Sequence, residues 1–81
     1  MSMTEAVAYK IIKYCDENKL SINRFALNCI LTQSTIENII LNKTKNITIS
    51  TLYHICYGMN MKLYEFYSDK IFDDVVPETL L

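Results

Sequence analysis

The chain has little of what flexible loops, membrane spans and secretion signals require. Its 81 residues include one glycine and one proline, which predicts helices joined by tight connections. No segment approaches the ~20 consecutive apolar residues of a membrane-spanning helix. The N-terminus lacks the basic segment and apolar run of a signal peptide. These absences predict a cytoplasmic protein that does not enter a membrane.

Groups that could form a catalytic or metal site are also scarce. The three cysteines, Cys15, Cys29 and Cys56, are widely spaced and form no C-x-x-C pair, which favours free, buried thiols over a metal or redox site. His54 is the only histidine and has no acid or cysteine at ligand spacing. The sequence contains no glycine-rich phosphate loop and no paired carboxylates in an apolar setting. We therefore predict a protein that is not an enzyme and that has no cofactor and no metal.

The charged residues are unevenly distributed along the chain. The overall net charge is −1, but residues 1–63 carry seven basic and four acidic groups, whereas residues 64–81 carry one basic and five acidic groups. The first segment is therefore +3 and the second −4. An acidic total is unusual for a protein that binds nucleic acid, yet the charge of the face presented to the ligand matters more than the total.

Short hydroxyl side chains mark the starts of the predicted helices. Ser2 and Glu5 have the spacing of a capping box, so the first helix should begin there and end near residue 18 or 19. N-cap residues for the next three helices are Ser21, Thr32 and Thr48. A short fifth helix should follow Asn60, since asparagine tolerates the left-handed conformation that ends many helices.

Apolar residues recur at helical spacing in all five segments and predict one shared core. The apolar faces of the first four helices comprise Val7, Ile11, Tyr14 or Cys15, Ile22, Phe25, Ala26, Cys29, Ile36, Ile39, Ile40, Leu52, Ile55, Cys56 and Met59. Leu63, Phe66 and Tyr67 belong to the fifth. The fold class is therefore all-α, a compact five-helix domain over residues 1–68. Residues 69–81 are predicted to form a short acidic C-terminal tail whose apolar side chains dock on the body or on a partner.

The second and third helices are separated by only three or four residues. The third should run from about Gln33 to Leu41, with Gln33, Ser34, Glu37 and Asn38 facing outward. A polar loop with two lysines, residues 42–46, comes next. A second helix held across a first, with polar side chains at its leading end, is the arrangement that enters the major groove of DNA.

The order of these elements resembles the Cro and phage-repressor family of helix-turn-helix proteins, the xenobiotic-response-element type. The resemblance covers Leu20 to Phe66, over half of the chain. The matching residues are Leu20-Ser21, Phe25-Ala26, Leu31-Thr32-Gln33-Ser34-Thr35-Ile36, Asn42-Lys43, Thr48, Leu52, Ile55-Cys56, Met59-Asn60, Leu63 and Glu65-Phe66. No single piece is specific, but together and in register they are a strong signal.

The resemblance implies a repressor-like transcriptional regulator that binds double-stranded DNA, usually as a homodimer on a palindrome. Gln33, Ser34 and Asn38 fall where the family reads bases, and glutamine or asparagine can bond adenine through two atoms. The positions implied to contact DNA are Ser21, Gln33, Ser34, Thr35, Asn38, Asn42, Lys43, Thr44 and Lys45. Among these, the loop residues and Ser21 are expected to contact phosphates, since a helix N-terminus attracts anions.

Several positions depart from the family pattern. Ile30 stands where the family usually has glycine, and a β-branched residue with positive φ would cost about 1–2 kcal/mol. We therefore expect the turn to differ in detail, or the second helix to end differently. Lys62 replaces the Ser or Thr that would cap the last helix, and Glu37 would be repelled by phosphates unless it is paired.

Two alternatives remain open at the level of sequence. Gln33 and Ser34 could be ordinary solvated residues, and Lys43 and Lys45 could simply keep a loop soluble. The same fold could then act as a protein-binding adaptor, or as an antitoxin-like partner that also binds DNA. For dimerisation, the candidate patch is the fifth helix and its sequel, with Phe66, Tyr67, Ile71 and Phe72.

Overall fold

A computed structural model describes residues 1–81, apart from the side chain of Glu78. The described residues form five α-helices and two short 3₁₀ helices. The α-helices are α1 (Met3–Asn18), α2 (Ile22–Cys29), α3 (Gln33–Ile40), α4 (Ile49–Gly58) and α5 (Leu63–Tyr67), and the 3₁₀ helices are η1 (Lys70–Asp74) and η2 (Glu78–Leu80). The predicted all-α class with five helices is confirmed.

The predicted helix starts are confirmed by their capping bonds. Ser2 accepts a hydrogen bond from the Glu5 amide at 3.1 Å, and the Glu5 carboxylate accepts one from the Ser2 amide at 2.8 Å. The side chains of Ser21, Thr32 and Thr48 each accept the amide of the residue three positions later. Each cap supplies a partner for an amide that would otherwise have none inside the helix.

The first four helices share one form of ending that uses no glycine. The residues with positive φ are Lys19, Ile30, Asn42 and Asn60. After each of them, the next amide donates to the carbonyl five residues back, as in Leu31 to Ala26 at 3.0 Å and Lys43 to Asn38 at 2.8 Å. These are Schellman motifs, which satisfy carbonyls left over at a helix end.

The expected deviation at Ile30 is therefore wrong, whereas the left-handed role of Asn60 is confirmed. Ile30 takes φ 58° and ψ 44°, a left-handed conformation, although its side chain is branched at Cβ. The chain thus turns between α2 and α3 as a glycine-containing turn would. The strain that the sequence predicted is present in the folded protein, and is not avoided by a different turn.

The lone glycine serves a close approach of two helices. A Cβ atom at Gly58 would lie 2.2 Å from the Cys29 sulfur and 3.1 Å from the Cys29 nitrogen. The C-terminal end of α4 therefore packs directly on the C-terminal end of α2, with no room for a methyl group. His54 adds a polar link between the same helices, since its Nδ1 lies 2.8 Å from the carbonyl oxygen of Cys29.

One hydrophobic core joins all five helices. Phe25, Ile36, Ile55 and Phe66 are fully buried, and the three cysteines are buried free thiols, as predicted. Burial raises the pKa of the Cys29 thiol to about 12. Among the described residues, no helix combines the length and the apolar character needed to cross a membrane.

The predicted tail is partly folded back onto the body. Lys10 on α1 forms an ion pair with Asp69 at 3.0 Å, and its ammonium lies 4.7 Å from the centre of the Phe66 ring. Phe72 of η1 packs against Phe66 and Tyr67, with ring centres 5.4 and 5.0 Å away. Of the predicted dimer patch, Phe66 is fully buried and therefore cannot form an interface. Phe72 is half-buried against the core of the same chain, Tyr67 is exposed, and dimerisation itself stays a prediction.

Candidate nucleic-acid interface

The turn between α2 and α3 fixes the position of the leading end of α3. Only Ile30, Leu31 and Thr32 separate the two helices, and the half-buried Leu31 packs on the core below them. Ile36 and Ile39 anchor α3 from its inner side, where both are buried. The two buried isoleucines fix which side of α3 faces the core, so the opposite side of its first turn faces solvent.

Gln33 and Ser34 are both exposed at that leading end. The Gln33 amide nitrogen donates a hydrogen bond to the Glu37 carboxylate, one turn later. A glutamine amide has two N–H donors and one carbonyl acceptor. After bonding Glu37, it keeps one donor and the acceptor, which are the two groups needed for N7 and N6 of an adenine.

Thr35 lies beside them but is engaged within the protein. Its side chain is half-buried, and its hydroxyl is 2.9 Å from that of Thr32, whose side chain also accepts the Thr35 amide at 3.2 Å. Thr35 thereby completes the cap of α3. Its geometry suits holding the helix end better than reaching a base.

Asn38 contributes to the site through its side chain and, separately, through its main-chain carbonyl. Its side chain is exposed on the outer face of α3, one turn beyond Ser34. Its main-chain carbonyl accepts hydrogen bonds from the amides of Lys43 at 2.8 Å and Thr44 at 3.3 Å. The basic loop is therefore tied directly to α3, with Asn42 at φ 58° making the turn.

The loop presents its two lysines to solvent. Lys43 and Lys45 are exposed, whereas Thr44 is half-buried. Among the described side chains, one ion pair lies within 4 Å. It joins Lys10 to Asp69, so neither loop lysine has an acidic partner at that distance. Both ammonium groups are thus available to an external anion. On the other side of the loop, the Lys45 carbonyl accepts a bond from the hydroxyl of Thr4 at 3.4 Å.

The start of α2 supplies a further cation that the sequence analysis did not single out. Ser21 is exposed, and its side chain accepts the Arg24 amide at 3.1 Å. Arg24, the chain's single arginine, is exposed in the same first turn. The sequence does place Arg24 three residues after the predicted N-cap Ser21. A basic residue there can assist the free amides of the helix start in binding phosphate.

The acidic segment lies against a different part of the molecule. η1, which contains Asp73 and Asp74, packs mainly on α1. Among the nine predicted contact residues and their neighbour Arg24, three carry positive charge and none is acidic; Glu37 is the acid nearest in sequence to Gln33. The local balance therefore differs in sign from the net charge of the whole chain.

The structure places the predicted residues in three exposed positions: the start of α2, the outer face of α3 and the loop after α3. Ser21, Gln33, Ser34, Asn38, Asn42, Lys43 and Lys45 are exposed, and Thr35 and Thr44 are half-buried. The Asn38 carbonyl accepts bonds from two loop amides, and the Thr4 hydroxyl donates one to the Lys45 carbonyl; these bonds hold the loop against α3 and α1. No protein-family model, curated protein or solved structure matches the chain.

Proposed function

We propose that the protein is a sequence-specific regulator of transcription that binds double-stranded DNA and inserts α3 into the major groove. The observation that carries the proposal is the exposed, polar leading end of α3, held across α2 by a three-residue turn. A helix-turn-helix reads DNA with such an end, while nearby backbone and basic groups fix its register on the phosphates.

Base reading is assigned to Gln33, Ser34 and Asn38, which share the outer face of α3. The free donor and acceptor of the Gln33 amide match adenine, and the serine hydroxyl can donate to or accept from several bases. Glu37 supports this role in the proposal, because its bond to Gln33 limits the directions in which the amide can point. The Gln33 amide is neutral, so Glu37 keeps its negative charge and weakens binding to phosphates in this proposal.

Phosphate contact is assigned to the loop and to the start of α2. Lys43 and Lys45 offer unpaired charges, and Ser21 and Arg24 lie at a helix N-terminus. Each neutralised phosphate releases counterions, so affinity should fall with salt at a slope of about −0.9 per contact. Three such cations predict a moderate slope, which a second subunit would double.

The first experiment selects bound fragments from the host genome and measures affinity for the enriched sequence by fluorescence anisotropy. Gln33→Ala with Ser34→Ala should relax specificity, each lost base contact costing about 1–3 kcal/mol. Asn18→Ala with Thr79→Ala, exposed polar residues outside the proposed face, serve as the matched control. Unchanged affinity and specificity in the Gln33/Ser34 variant would refute the proposed mode of docking.

The second candidate function is a protein-binding adaptor with the same fold, favoured by the net charge of −1. A salt titration with mixed-sequence duplex separates the two. A DNA-binding protein retains non-specific affinity at low ionic strength that falls steeply with salt. An adaptor shows no binding even at low salt.

A further inference from the structure

Helix α3 carries a single charged side chain, and that side chain is an acid on the face proposed to enter DNA. Glu37 is exposed and lies one helical turn after Gln33. Within the part of the chain that the structure describes, the one ion pair closer than 4 Å joins Lys10 to Asp69. The Glu37 carboxylate therefore takes no part in an ion pair that stabilises the fold.

The position of Glu37 around the axis of α3 places it among the residues assigned to base reading. With a rotation of about 100° per residue, Glu37 lies about 40° from Gln33 and about 60° from Ser34, on the arc between them. The buried Ile36 and Ile39 occupy the inner side of the same helix. A docking that brings Gln33 and Ser34 to base edges therefore brings Glu37 to them as well.

A carboxylate at the base edges selects for a hydrogen-bond donor. An ionised carboxylate can only accept hydrogen bonds. In the major groove, cytosine presents its N4 amino group alone, whereas adenine has the N7 acceptor beside its amino group, and guanine and thymine present acceptors. Cytosine is therefore the base that gives Glu37 a donor without placing an acceptor of the same base beside it.

We infer that Glu37 is a specificity-determining residue, which accepts a hydrogen bond from N4 of a cytosine next to the adenine bonded by Gln33. The inference rests on the proposed function and names the kind of sequence that the site selects. One carboxylate oxygen of Glu37 accepts the Gln33 amide, which leaves the second oxygen for the base. Because that bond joins the two side chains, the bases that they contact are neighbours, about 3.4 Å apart along a strand.

The negative charge of Glu37 makes this contact selective. Phosphates repel the carboxylate on every duplex, and a sequence without the cytosine offers no bond in return, so wrong sequences are rejected. A matching cytosine bonds a charged acceptor, and such bonds are stronger than those to a neutral acceptor. Removal of the charge should therefore raise the affinity for mixed-sequence duplex and narrow its difference from the affinity for the selected sequence.

The test compares wild type, Glu37→Ala and Glu37→Gln on the sequence selected by the wild type, on its single-base variants and on mixed-sequence duplex. Affinity is measured by fluorescence anisotropy at one salt concentration, because salt alone changes it. In Glu37→Ala, discrimination against other bases at the cytosine position should fall roughly 5- to 150-fold, while affinity for mixed-sequence duplex rises.

The second variant and a control separate base contact from other roles of the carboxylate. Glu37→Gln keeps an acceptor for the Gln33 amide, and it should shift the preferred base at the cytosine position to adenine, which a glutamine amide matches. Glu17→Ala is the matched control, since Glu17 is an exposed glutamate on α1 that shares a surface cleft with Asp69. It removes the same charge and should leave the preferred base at every position unchanged.

Two results would overturn the inference and leave the proposed function standing. If Glu37→Ala raised the affinity for all duplexes equally, the carboxylate would act through repulsion alone. If the wild type selected no cytosine and the variants only weakened the selection of adenine, Glu37 would do no more than orient Gln33. A wild type without affinity for any duplex at low salt would instead refute the proposed function, and the inference with it.

Discussion

Ile30→Asn should make the protein more stable, although it removes an aliphatic side chain. Ile30 has φ 58° and is 67% exposed. The left-handed conformation costs an ordinary L-residue roughly 1–2 kcal/mol, whereas asparagine adopts it readily. The chain already contains the comparison, because Asn42 and Asn60 occupy the equivalent place after α3 and α4.

The loss of burial is smaller than the strain that is relieved. Full burial of an isoleucine contributes about 1.5–3 kcal/mol, and about one third of Ile30 is shielded from solvent. The substitution should therefore forfeit about 0.5–1 kcal/mol and relieve about 1–2 kcal/mol. The net gain should be about 0–1.5 kcal/mol, with a midpoint of about 0.75 kcal/mol, which corresponds to roughly 3–6 °C in Tm for a domain of this size.

Thermal and urea unfolding followed by far-ultraviolet circular dichroism would measure the difference. Leu41→Asn is the matched control, because Leu41 is also a largely exposed aliphatic residue at a helix end but has φ −82°. No strain is relieved there, so this variant should be no more stable than wild type. If Ile30→Asn were less stable than wild type, contacts of the Ile30 side chain would outweigh its backbone strain, and the reasoning would be refuted.

Three further variants test other features of the fold. Gly58→Ala should destabilise by about 1–3 kcal/mol, measured by urea unfolding, because the new methyl group would meet the Cys29 sulfur; a neutral effect would show that α2 and α4 can separate. Asp69→Asn should lower stability near neutral pH, since bonds from the Ile71 amide and from Lys10 lower the pKa of the Asp69 carboxyl from its ordinary 3.8. That contribution is present above the ordinary value and is lost as pH falls through the lower folded-state pKa, so the two proteins should converge in acid; a pH-independent difference would contradict this. Thr32→Ala should cost about 1 kcal/mol by removing the cap of α3, and equal unfolding midpoints would contradict the capping role.

The starts of the helices could be predicted from the sequence because capping is local. A side chain at Ser21 or Thr48 bonds an amide three residues later, and both partners lie in the same short segment. The pattern of buried residues was similarly accessible, since it depends on helical periodicity. The all-α class followed from these two signals.

The helix ends and the tail depended on distant contacts. The sequence predicted that Ile30 would avoid positive φ, but Leu31 packs on the core and the turn is made despite the strain. The ion pair of Lys10 with Asp69 links residues 59 positions apart, which no local pattern reveals. For the same reason, the sequence suggested Phe66 and Phe72 as a dimer surface, whereas packing with α1 and α5 uses them internally.

In the candidate site, the exposure of Gln33 and Ser34 could be predicted from helical spacing, because Ile36 and Ile39 fix which side of α3 faces inward. The sequence did not predict that the Thr35 hydroxyl bonds Thr32, because a hydroxyl in the first turn of a helix can face either the cap or the solvent. Arg24 was overlooked for a related reason: its relation to Ser21 matters only once both share one exposed turn.

The hydrogen bond from Thr4 to the Lys45 carbonyl links α1 to the basic loop, although α1 contributes no residue to the proposed DNA face. The donor, Thr4, is buried on the first turn of α1. The acceptor is the main chain of Lys45, 41 residues later, in the loop that precedes α4. If the loop binds phosphates, the bond from Thr4 helps to set the position of the Lys45 main chain relative to the DNA. Under the proposed function, substitutions on α1 that displace Thr4 should change the affinity for DNA, although no residue of the proposed DNA face is altered.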